Sequence, residues 1–128
     1  MSIYLDPRTN DPYIDENGQL VTLTDDVQEM MQAFRVWMDT GIGMDILDPQ
    51  FGFNLRDVIG APWNRTFGFR KSLEVQFQRC VNQIPEFIKS IIIRTMTYSN
   101  KSLTIELLLR SPMGHVQDAT VRIDEYNG

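Results

Sequence analysis

The chain has 128 residues, 42% hydrophobic and 23% charged, the proportions of one globular domain and not of a disordered tail. Twelve Lys and Arg stand against 17 Asp and Glu, a net charge of −5 with no basic block. That balance argues against nucleic acid as a partner, since phosphate binding needs concentrated cationic surface.

Cys80 is the sole cysteine, so an intramolecular disulfide and a Cys-based zinc site are both excluded. No apolar run approaches the roughly 18 to 20 residues of a membrane helix. The first residues lack a basic and apolar signal pattern, so the expectation is a soluble chain, folding in a reducing cytoplasm.

In chain order, Met1 to Asn10 is punctuated by Asp6-Pro7 and followed by Asp11-Pro12, which disfavours regular structure. "YIDENGQLVTLT" predicts a β-hairpin turning at Asn17-Gly18. Residues 1–23 thus read as a short polar arm lying on the body of a single domain, 24–128. Thr24 is the expected N-cap of a helix over Asp25 to Asp39, with acids in its first turn. Val27, Met30, Met31, Phe34, Trp37 and Met38 form its apolar stripe, and Gly41 and Gly43 stop it.

"DPQFGFNL", Asp48 to Leu55, has neither helical nor strand periodicity. Leu55, Val58 and Ile59 suggest a helical turn ending at Gly60. A second long helix then carries Phe69, Leu73, Phe77, Cys80, Val81 and Ile84 on one face until Pro85 ends it. Cys80 lies on that stripe and is expected to be a buried structural thiol.

The last third alternates. "IKSIIIRTMTY", "LTIELLLR" and "VQDATVRID" read as three strands joined by short loops, with Leu103, Ile105, Leu107 and Leu109 on one face. The predicted fold class is α+β: two amphipathic helices packed on a small three-stranded antiparallel sheet, with an N-terminal hairpin arm.

A search for chemistry finds little. Asp45, Asp48 and Asp57 flank the 48–55 segment and are the candidates for an acid/base pair; the plainer reading is turn-capping and solvated acids. His115 is the only histidine, too few for a His-based metal site, and no Ser-His-Asp triad is recognisable by spacing. Gly41-Ile42-Gly43 lacks the strand and helix of a phosphate loop. Trp63, Phe67 and Phe69 lack the basic surround of a stacking platform. No catalytic residue, metal or cofactor is expected. The open edge of the last strand remains, either protected by Asp118, Arg122 and Asp124 or used for strand addition by a partner.

The order of parts, together with Asp48-Pro49-Gln50-Phe51-Gly52 followed by Leu55, resembles the baseplate wedge family of contractile phage tails. That family includes the small, lysozyme-like wedge subunit of T-even phages and the wedge component of type VI secretion systems. The resemblance spans about Val27 to Ile123. It implies a structural, non-enzymatic virion subunit, assembled in the host cytoplasm, that joins the helical core bundle of larger wedge subunits to the first ring of tail sheath protein. Tail tube or hub proteins are further neighbours it implies, and no membrane.

On this resemblance the partner-binding residues are Gly43, Asp45, Asp48, Pro49, Phe51, Gly52, Leu55, Pro85 and Glu86. Pro49 would set the chain's direction, Gly52 a close turn, and Phe51 a buried aromatic anchor. The sheet edge for sheath strands would run through Val116, Asp118, Thr120, Arg122 and Asp124. Two positions depart from the family: Ile84-Pro85-Glu86 stands where many members have Glu-Pro-Arg, and Gly43 is followed by Met44 and Asp45 where an Arg is common. Basic residues on the partner bundle opposite Asp45 and Glu86 are therefore expected. The alternatives are a carboxylate-based muramidase and a free regulatory anti-adaptor of the same fold.

Overall fold

Helix α1, Asp26–Asp39, begins in the computed structural model where Asp25 is still extended and its carboxylate accepts the Gln28 N–H at 3.0 Å. The model describes residues 2–41, 43, 47, 50–54, 66–99 and 101–124. The cap is thus Asp25, one residue beyond the expected Thr24, and its full charge suits the positive helix end. Met30, Phe34 and Trp37 are buried, and the helix closes as Thr40 returns its N–H to the Val36 carbonyl.

Helix α2, Thr66–Gln83, buries Leu73, Phe77 and Cys80, and the next residue, Ile84, is buried too. Pro85 ends the helix as expected. The N–H groups of Phe87 and Ile88 both return to the Ile84 carbonyl, at 3.1 and 3.2 Å, and swing the chain into the sheet.

The sheet is an antiparallel meander in the order β3 (Ser90–Ser99), β4 (Ser102–Arg110), β5 (Val116–Asp124). Leu103, Ile105, Leu107 and Leu109 on β4 all face the core, as the alternation requires. Pairing of β4 with β5 runs unbroken from Ser102↔Asp124 to Arg110↔Val116. Pairing of β3 with β4 shifts between Ile93 and Thr95, a bulge at Arg94. Residues of both helices and all three strands form one hydrophobic cluster, in which Phe34 of α1 meets Phe77 of α2 with ring centroids 6.3 Å apart.

The N-terminal arm differs from expectation. Thr22–Leu23 (β2) pairs with Ser2–Ile3 (β1), in the stretch that its prolines had marked as irregular. Pro7 and Pro12 shape the return path and leave residues 2 and 3 free to pair. Within 13–24 only a single bridge, Ile14↔Leu20, forms around the turn. There the Asp15 carboxylate accepts the Asn17 and Gln19 N–H groups, both at 2.9 Å, and Gly18 takes φ +76°.

The arm lies along α1. The buried Gln32 side chain accepts the Leu5 N–H and donates to the Ile3 carbonyl, both at 2.8 Å.

Candidate docking surface

Residues 50–54 cross between the two helices, and side-chain amides hold them there. The Gln76 amide of α2 donates to the Asn54 carbonyl at 3.0 Å and accepts the Asn54 N–H at 2.8 Å, as a neighbouring strand would. Gln83 donates to the Gln50 carbonyl at 2.8 Å, and Arg79 donates to the same oxygen at 2.7 Å. The Phe53 N–H bonds the Thr40 carbonyl at 2.9 Å, and Gly41 and Phe53 form a parallel bridge. Gln76 and Gln83 of α2 thus each satisfy backbone groups of the 50–54 segment from the helix side.

Gly52 is required at its position. It has φ +109°, and a Cβ there would lie 2.0 Å from the Thr40 carbonyl oxygen. The aromatic anchor, however, is Phe53 and not the expected Phe51. Phe53 is buried between Trp37 and Phe77, at centroid distances of 5.9 and 6.3 Å, whereas Phe51 is half-buried at the cluster's margin. The left-handed turn at Gly52, pinned to Thr40, delivers the following residue to the core.

Gly43 is exposed with φ +89°, and Pro85 and Glu86 are exposed in the turn after α2. Asp45, Asp48, Pro49 and Leu55 lie outside the described residues, as do Asp57, Trp63 and the helical turn expected before Gly60.

On β5, Val116, Asp118, Thr120, Arg122 and Asp124 are all exposed, while Ala119, Val121 and Ile123 pack on or into the core. The outward charges are partnered. Asp118 pairs with Arg94 at 3.1 Å across the sheet. Asp124 accepts from the Ser102 hydroxyl at 2.5 Å and from Arg122 Nε at 3.1 Å, bonds that hold its carboxyl below the usual range.

Every residue from Asp118 to Asp124 borders an open groove of about 1240 Å³. Both faces of a strand line one cavity when its backbone edge forms the wall. Met31, Phe34, Arg35 and Met38 of α1 form the opposite wall, Phe53 lies in the lining, and the arm closes one side with Tyr4 and Leu23. The volume exceeds the roughly 300–1,000 Å³ of small-molecule pockets. This groove is not visible in sequence, because α1 and β5 are distant in the chain.

A second cluster escaped sequence reasoning. Asp26, at the start of α1, accepts from the buried Ser111 hydroxyl and from His115 Nδ1, the latter at 2.7 Å. The Ser111 bond first, and then the His115 bond, hold the Asp26 carboxyl below its usual range. In a nucleophilic triad the histidine would lie between serine and acid; here the acid lies between serine and histidine. Ser111 Oγ also accepts the His115 N–H at 3.1 Å. The cluster ties the β4–β5 loop to α1, so His115 is exposed as expected but not unbonded.

Cys80 is fully buried, and burial pushes its thiol up to about 12. Among the described residues no group of acids, His and Cys is arranged to hold a metal ion, and no helix is long and apolar enough to cross a membrane.

No protein-family model matches the chain, and no curated protein does. A solved structure is similar: the "putative tail lysozyme" of Geobacter sulfurreducens, with a TM-score of 0.61 at 15% identity. The match covers 84% of this chain and 97% of that one, so the two share a fold over nearly the whole of the Geobacter protein.

Proposed function

We propose that this chain is a structural subunit of a contractile tail baseplate, joining the wedge core bundle to the first sheath ring and starting the sheath by accepting its strands. The observation that carries this reading is the unbroken β5 edge, which forms one wall of a long open groove. Strand addition there would use backbone hydrogen bonds for affinity and the groove for side-chain selection. The word "tail" in the name of the Geobacter protein agrees with it, as does the Pro-Gln-Phe-Gly stretch at 49–52. On this reading the exposed Pro85–Glu86 turn and Gly43 would face the wedge bundle.

The test is assembly. Purified sheath protein mixed with the chain and its wedge partners should form sheath rings, and Val121→Lys, which puts a charge in the groove, should abolish ring formation while wedge binding persists. Charge reversal at Asp45 and Glu86 should do the opposite, weakening wedge co-purification. The lysozyme name raises a second reading, and peptidoglycan turbidity separates them: clearing by the chain that a single carboxylate substitution removes would favour a muramidase.

A further inference from the structure

Arg35 sits on the groove wall of α1, four residues after Met31 and three before Met38, at the spacing that shares a helix face. It is partly buried, and its Nε is buried with no hydrogen-bond partner. Its one bond is long, 3.4 Å from Nη2 to the Leu5 carbonyl. Among the described residues no carboxylate lies within ion-pair distance of it.

The acids bordering the groove are engaged elsewhere. Asp118 is paired with Arg94, Asp124 with Arg122 and Ser102, and Asp39 accepts from Asn10. A guanidinium carries five donors that match a carboxylate in geometry, and one left partly dry and underbonded is costly. Among the described residues the groove therefore presents one unpaired positive charge among apolar side chains, beside a backbone edge.

We infer that Arg35 selects the occupant of this groove: an extended partner peptide whose groove-facing side chains are apolar except for one carboxylate, which pairs with the Arg35 guanidinium. This rests on the strand-addition reading of β5 and adds the chemistry of the strand. The β5 edge supplies sequence-blind affinity; Met31, Phe34 and Met38 accept apolar side chains; Arg35 fixes register, because a slip of one residue turns the carboxylate away from the groove.

The probes are nine-residue peptides of alternating valine and threonine with lysines at both ends. One of the four valines is replaced in turn by glutamate or by glutamine, and binding is read by fluorescence anisotropy. At one position the glutamate peptide should bind about tenfold tighter than its glutamine counterpart, the scale of a charge-assisted pair. Arg35→Gln should erase that difference, and Arg35→Lys should restore part of it. Binding of the peptides with no glutamate preference at any of the four positions overturns the role of Arg35 and leaves strand addition standing. Failure of every peptide to bind overturns both.

Discussion

Trp37 on α1 donates its indole N–H to the Gln83 amide oxygen on α2 at 2.7 Å, and the same oxygen accepts the Gly52 N–H at 3.3 Å. One side chain thus joins both helices and the segment that crosses between them. The crossing depends on a few polar groups inside an otherwise apolar contact, and its weak points can be named.

Gly52→Ala should be severely destabilising. The new Cβ would overlap the Thr40 carbonyl at a positive φ, so the 50–54 segment must move and withdraw Phe53 from the core. A loss of at least about 3 kcal/mol is expected in urea denaturation. A variant within about 1 kcal/mol of wild type would show that Thr40 can yield.

Gln76→Leu keeps the size of the side chain but removes its two hydrogen bonds to the Asn54 backbone. Loss of two part-buried hydrogen bonds should cost about 1 to 3 kcal/mol. Gln78→Leu, on the exposed face of the same helix, is the control and should change little.

Much of this was legible in the chain itself. The stripes on α1 and α2 and the alternation of β4, though Val27, Met31, Met38 and Val81 are only partly buried, predict the core at Met30, Phe34, Trp37, Leu73, Phe77, Cys80, Ile84 and the four inward β4 residues, because burial of apolar area sets both periods. The glutamines were missed for the same reason. Gln76 and Gln83 fall on the apolar face of α2, with Leu73, Phe77 and Cys80, and a polar residue there gives no periodicity signal. Its position was the clue: an amide in the stripe implies a backbone that needs it. Arg35 and the groove were hidden more deeply, since only folding brings α1 beside β5.

Asp26 should make stability pH-dependent. Its carboxyl titrates below its usual value of 3.8 in the folded chain, so it contributes stability above that value and loses it as pH falls through the lower, folded one. Asp26→Asn should lower the melting temperature at neutral pH and narrow the gap to wild type in acid. Parallel curves for the two proteins across that range would count against the cluster.

Cys80 should be chemically silent in the native state. With its thiol pushed from 9.0 to about 12, almost no thiolate forms at neutral pH, and iodoacetamide should label the chain only in denaturant. The sign is opposite to that of Asp26: as pH rises above 9, the unfolded chain alone releases this proton, and stability falls. Rapid native labelling would show that the helix opens.

The bulge at Arg94 gives the sheet two unlike borders. On β3 the ladder shifts register and the Ile93 carbonyl is taken by Arg70 from α2 at 2.9 Å, whereas β5 keeps a regular border over its whole length. On the strand-addition reading proposed above, β5 is the better matched of the two borders to an added strand, because its ladder holds one register while that of β3 is interrupted at the bulge.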